Sequence, residues 1–238
     1  MSNIPMNLDV VRSAVRAVGT SMVREGTPPA VAHGVVTIAR EAGTGAPRIA
    51  ARVCELLNER HGAGEQPWLA YDKNLVQKVA EEHELAEDVI RKLDEHDQNT
   101  LDEIFAAVTG QQTLHSVGMK TARTIRGLAR NGRAVIVGRG GAVILAGIPH
   151  SLHVRLVAPL EWRVRQWAKA NGTDVGEARK RVEQLDHERT EYVRATLNHD
   201  PDDARLYDLV INVQAFTVEH ASQIIARAVE ELHIDDDH

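Results

Sequence analysis

The chain is poor in aromatic residues. They make up 3% of its 238 residues, so a core must rest on Val, Ile, Leu and Ala. Cysteine occurs once, as Cys54, which excludes an intramolecular disulfide and a cysteine metal cluster. No apolar run approaches the length of a membrane span, and the first residues lack the basic start and apolar core of a signal peptide. The expected location is therefore the cytoplasm, with no membrane partner. Positive charge is not in excess either. A net charge of −6 argues against a general nucleic-acid binder, which needs a basic field against the phosphate backbone. None of the 12 histidines falls in an H-E-x-x-H pattern, and no G-x-S-x-G elbow appears. Metalloprotease and serine-hydrolase readings drop out, and no protein metal ligands are expected.

Ordinary apolar and charged fractions, 43% and 26%, fit a globular protein. Leu8, Val11, Val15, Val18 and Met22 repeat at spacings of three and four, the stripe of one helix. That helix reads either as packed on its own domain or as a homodimer contact. Gly26-Thr27-Pro28-Pro29 ends it, so residues 1–33 read as an extension and residues 34–238 as the main domain. From there strands are expected at 35–39, 68–71, 134–138, 152–157 and 208–213. Helices are expected at 47–60, 73–83, 86–95, 101–109, 114–131, 160–170, 174–196 and 217–232. Short β-rich runs separated by helices predict an α/β fold, a parallel sheet with helices on both faces. Helical insertions fall at 73–131 and 159–205. Ligands of such sheets sit at the carboxyl ends of the strands. Arg40 to Ala46, Tyr71-Asp72 and Gly138-Arg139-Gly140 should therefore converge.

The richest stretch is Val36-Thr37-Ile38-Ala39-Arg40-Glu41-Ala42-Gly43-Thr44-Gly45-Ala46-Pro47-Arg48: a strand, a glycine turn, then a helix start. Gly43 and Gly45 let the backbone approach an anion, and Pro47 suits the first turn of a helix. A helix N-terminus offers free N–H groups to phosphate. The lysine and Ser/Thr of a working G-x-x-x-x-G-K-[ST] loop are missing, since Ala46 and Pro47 stand in their places. Arg40 and Arg48 flank the turn and could supply the charge; the bland alternative is a tight turn without a ligand. Arg139, in Gly138-Arg139-Gly140-Gly141, reads as a phosphate fork or as half of a structural ion pair. Asp72 reads as a helix N-cap, a catalytic carboxylate, or both. Arg163, Arg189 and Arg194 lie on helical stretches rich in charge, where a solvated face is the alternative to a lid over a polyphosphate.

Taken together these pieces resemble the cytidylate kinase-like family, of the nucleoside-monophosphate kinase group. The matching residues are Thr37-Ile38-Ala39-Arg40 with Gly43-Thr44-Gly45, Tyr71-Asp72-Lys73, Val135-Ile136-Val137-Gly138-Arg139, Ala158-Pro159-Leu160-Glu161-Trp162-Arg163, Asp186-His187-Glu188-Arg189 and Tyr207-Asp208-Leu209-Val210-Ile211-Asn212. The resemblance implies a P-loop fold with a five-stranded parallel sheet, a helical monophosphate-binding insertion and a helical lid. It implies ATP and Mg²⁺ as cofactors and a small-molecule nucleotide as partner. By position it assigns Gly43 to Pro47 to the donor phosphates, Arg139 and Gly140 to the monophosphate, Arg163 and Arg189 to the lid, and Asp72 to the end of the second strand. Gly140 replaces the aspartate of the family's Gly-Arg-Asp.

Two functions compete on this basis. One is a kinase moving the ATP γ-phosphoryl group to a CMP-like or other small acceptor, with arginines in place of the lysine. The other is a nucleotide-binding regulatory module without turnover. A remnant with no ligand is a third reading.

Overall fold

The computed structural model describes residues 34–60, 66–76, 78–79 and 114–232. The expected N-terminal helix, its dimer contact, the helices at 86–95 and 101–109, and the tail after residue 232 lie outside them.

Five strands form one parallel sheet: β1 (Val35–Arg40), β2 (Leu69–Tyr71), β3 (Ala134–Val137), β4 (Ser151–Val157) and β5 (Leu209–Asn212). Their order is β2-β3-β1-β4-β5, which puts β1 at the centre. Register is tight around it, with Thr37 opposite Ile136 on one side and His153 on the other. β1 and β3 are short and rich in buried apolar residues because both their faces are covered, whereas the edge strand β5 leaves Val210 exposed.

Alternation along the strands sorts two cores. Val36, Ile38, Val135, Val137, Val154 and Leu156 face α1 (Ala46–Arg60) and the C-terminal helix α6 (Val218–Glu231). Val35, Ala134 and Ile136 face the other way, onto α2 (Leu114–Asn131) and the one-turn α3 (Gly141–Ile144). The C-terminal end of the expected insertion, α2, is therefore part of this second core, through Ile125, Leu128 and Ala129. A third cluster joins α4 (Leu160–Asn171) and α5 (Val175–Leu197) and takes in Ala42 of the glycine turn. Asp174 caps α5 by accepting from the Gly176 and Glu177 N–H groups, and Thr217 caps α6.

Cys54 is buried on α1, and burial pushes its thiol up to about 12, which removes it as a nucleophile. Along α5, Arg179 pairs with Glu183 and Arg181 with Glu188. No helix among the described residues is long and apolar enough to cross a membrane.

Candidate functional site

A cleft of about 480 Å³ opens at the carboxyl ends of β1 and β3. Ala39 and Thr37 form its floor, Gly138 to Val143 one wall, and Leu185, Arg189, Tyr192 and Val193 of α5 its roof. Arg155, Pro201, Asp202, Leu206 and Tyr207 close the opposite side.

Arg40, Arg139 and Arg189 converge here. The Arg40 guanidinium lies against Gly138: a Cβ added there would meet Arg40 Nη1 at 1.7 Å. Gly138 also has φ +87°, a conformation that favours glycine, and it ends β3 one residue before the expected boundary. Arg139 sits over the Tyr192 ring, 5.0 Å from its centroid. Arg189 donates from Nη1 to the Arg40 carbonyl at 3.4 Å. Burial, then repulsion from Arg189, pull the Arg40 guanidinium below its ordinary value, although Asp72 acts in the opposite direction. Desolvation also lowers Arg189. Among the described residues no carboxylate bonds Arg40 or Arg139, and Asp186 approaches Arg189 only to 3.8 Å. Arg40 and Arg139 thus share one cleft without a bonded carboxylate among the described residues, and Arg189 has only a long ion pair with Asp186. That is costly without an anion and suits a phosphate with it.

The glycine turn is built differently. Asp186 of α5 accepts from the Ala42 N–H at 2.6 Å and from Arg163 Nη1 at 2.6 Å. Arg163, only 8% exposed, also donates to the carbonyls of Ala42 and Ala158 and pairs with Glu41 at 3.2 Å. Its own carbonyl sits over Gly43, where an added Cβ would meet it at 2.5 Å. Arg163 thus bolts α4 to the turn and to α5 through Nε and Nη1, and it also lines the cleft.

Gly43 to Pro47 do not line the cleft; they adjoin it at Arg40 and Glu41. The N–H groups of Gly43, Thr44 and Gly45 have no partner among the described residues. The Ala46 side chain is buried in the core under α1, and Arg48 faces solvent. Of the two arginines flanking the turn, only Arg40 is at the cleft. Asp72 caps the helical segment after β2, accepting from the Asn74 and Leu75 N–H groups at 3.0 and 2.9 Å, and is outside the cleft wall. Arg194 pairs with Glu191 and Asp200 on an exposed face.

Gly140 has φ +67°, and a Cβ there would meet Leu197 Cδ1 at 2.1 Å. The aspartate of Gly-Arg-Asp would here have to displace the end of the Leu197 side chain and adopt a left-handed conformation. The turn gives a protein-held Mg²⁺ little support: Pro47, where the Ser/Thr would stand, offers no side-chain oxygen, and both Asp186 oxygens are taken by the Ala42 N–H and Arg163. No cluster of three potential metal ligands occurs among the described residues.

Sequence reasoning missed the far wall, Arg155 and Tyr207, and the tyrosine under Arg139. The available signal was an arginine inside the apolar run Leu152-His153-Val154-Arg155-Leu156-Val157.

The β2-β3-β1-β4-β5 sheet with a glycine turn after its central strand defines a P-loop NTPase-type α/β protein. The chain belongs to the cytidylate kinase-like family, whose sequence profile matches residues 35–215. It is 25% identical over 206 residues to a cytidylate kinase of Methanopyrus kandleri, covering 83% of this chain and 94% of that protein. It is 31% identical over 107 residues to a cytidylate kinase of Methanocaldococcus jannaschii, covering 44% and 60% respectively. An uncharacterized protein of Eubacterium ventriosum shares the fold, with a TM-score of 0.62 at 20% identity over 84% of this chain and 99% of that one.

Proposed function

We propose that the protein is a nucleotide phosphotransferase, moving the γ-phosphoryl group of ATP to a nucleoside monophosphate. The observation that carries this reading is the convergence of Arg40, Arg139 and Arg189 on one cleft without a bonded carboxylate on Arg40 or Arg139. The acceptor's phosphate would seat on these arginines. The donor's phosphates would lie along the unpaired N–H groups of Gly43, Thr44 and Gly45, as helix N-termini hold anions. An acceptor phosphate oxygen attacks Pγ, the Pγ–O bond to the β-phosphate breaks, and ADP leaves. Phosphoryl transfer is mostly positioning and charge neutralisation, so Arg40, between turn and cleft, would take the part of the missing lysine. The names of the archaeal relatives favour a CMP-like acceptor.

The test is product analysis by chromatography after incubation with ATP and Mg²⁺ against CMP, dCMP, UMP, AMP and no acceptor. One diphosphate product, abolished by Arg139→Ala, supports the reading. A folded protein that yields none refutes turnover.

A second reading rests on Ala46 being buried and Arg48 facing solvent, which leaves no side chain of the turn itself to reach a γ-phosphate. It makes the chain a nucleotide-binding module. Thermal stabilisation by CMP or ATP without any product is its signature, because a ligand of the native state raises stability whether or not it reacts.

A further inference from the structure

The cleft is longer than a phosphate, and its far side is chemically unlike the arginine triad. Arg155 registers with Ala39 of β1. Val137 of β3 registers with Ile38 of β1, which in turn pairs with Val154 of β4. The end of β3, from which the turn carrying Arg139 departs, is therefore two inter-strand spacings or about 10 Å from β4, which carries Arg155. Arg155 is held by Asp202, by the Pro201 carbonyl and by the Tyr207 hydroxyl at 3.3 Å. Its guanidinium lies over the Tyr207 ring, 5.5 Å from the centroid. The Tyr207 hydroxyl donates onward to the Pro201 carbonyl at 2.8 Å. The Asp202 side chain is 63% exposed and its second oxygen bonds nothing among the described residues.

The triad is excess charge awaiting an anion, whereas the Arg155–Asp202 pair is nearly neutral. It offers N–H donors beside a carboxylate acceptor, next to an aromatic ring and Leu206. That is the chemistry of a neutral, planar, hydrogen-bonding group. From it we infer that Arg155, Asp202 and Tyr207 form a second subsite that reads the nucleoside part of a ligand whose phosphate rests on Arg40, Arg139 and Arg189. A base with both a carbonyl and an amino group matches the pair: the guanidinium donates to the carbonyl and Asp202 accepts from the amine. The inference rests on the reading of the triad as a phosphate site.

Binding of orthophosphate, CMP and UMP to the full chain, measured by calorimetry, separates the two. Wild type should bind CMP more tightly than UMP, and both more tightly than orthophosphate. Arg155→Ala should weaken CMP about tenfold and leave orthophosphate within about twofold, since one charged hydrogen-bonding group is lost. Arg155→Lys keeps charge and stem and should still lose most of the CMP gain, because a point charge does not replace the fork. Asp202→Asn, at an exposed position, should narrow the preference for CMP over UMP without lowering the unfolding midpoint. Equal weakening of CMP and orthophosphate in both Arg155 variants would make Arg155 a structural anchor and overturn the subsite, as would unchanged CMP binding. Orthophosphate binding indifferent to Arg139→Ala would instead remove the triad reading on which the subsite stands.

Discussion

The glycine turn and the arginine triad share a boundary at Arg40 and follow opposite electrostatic plans. In the turn, charge is neutralised internally: Arg163 meets Glu41, Asp186 and two carbonyls, and Asp186 also takes the Ala42 N–H. In the triad, Arg40, Arg139 and Arg189 face one another with Asp186 no nearer than 3.8 Å. The first arrangement stabilises the free protein. The second is unfavourable in the free protein and would be relieved by an anion. Ligand affinity should therefore reside in the triad and fold stability in the turn, and substitutions in each should move different observables.

The largest effect is expected at Arg163. Arg163→Ala leaves Glu41 without its cation and Asp186 with only the distant Arg189, and should cost about 3 kcal/mol of stability, read from denaturant unfolding. A loss of phosphate affinity with unchanged stability would reverse the assignment and restore Arg163 to the ligand. Next is Arg139→Ala, which should weaken orthophosphate and CMP by about tenfold or more while the unfolding midpoint holds or rises, because a like charge is removed from a crowded cleft. A fall in stability comparable to that of Arg163→Ala would erase the contrast between the regions.

Gly138→Ala tests how the two are joined. The new methyl would displace the flexible end of Arg40 and force alanine into a left-handed conformation. The expected stability cost is about 1 kcal/mol. Phosphate affinity should fall as far as in Arg40→Ala, if Arg40 acts only from its seat against Gly138. Unchanged affinity would mean that Arg40 reaches the ligand from elsewhere.

The fold was legible because its signals are local and periodic. Each strand lies within a residue of its expected end, and α2, α4, α5 and α6 likewise, since glycines, Pro159, Asp174 and Thr217 mark the boundaries. The one-turn α3 is too short for a period to register. Convergence of Arg40 with Arg139 was also readable, because parallel strands deliver their carboxyl ends to one edge. The role of Arg163 was not. Its partners Ala42 and Glu41 lie more than a hundred residues away, and nothing in a charged helical stretch tells a bolt from a lid. The fork at Arg155 was hidden for the same reason, since Pro201 and Asp202 reach it only through the crossover between α5 and β5.

The smallest expected effect lies beneath the cleft floor. His153 Nδ1 and Thr37 Oγ1 are 2.9 Å apart and buried, and Asp208 accepts from the His153 backbone N–H at 2.7 Å. Desolvation lowers the pKa of His153 below its ordinary 6.5, although Asp208 and a hydrogen bond with the Leu145 backbone oppose it. The unfolded chain then takes up a proton at a pH where the folded one does not. Stability is full above about pH 6.5, falls as pH drops below it, and levels once the folded imidazole itself is protonated. Thermal unfolding of wild type and His153→Asn across pH 7.5 to 5 should show a decline that is shallower in the variant. Thr37 lines the cleft and packs against Gly141, so the same decline should appear, weakened, in phosphate affinity. If affinity fell with pH equally in both proteins, the cause would be protonation of the phosphate and the floor would be uncoupled from the triad.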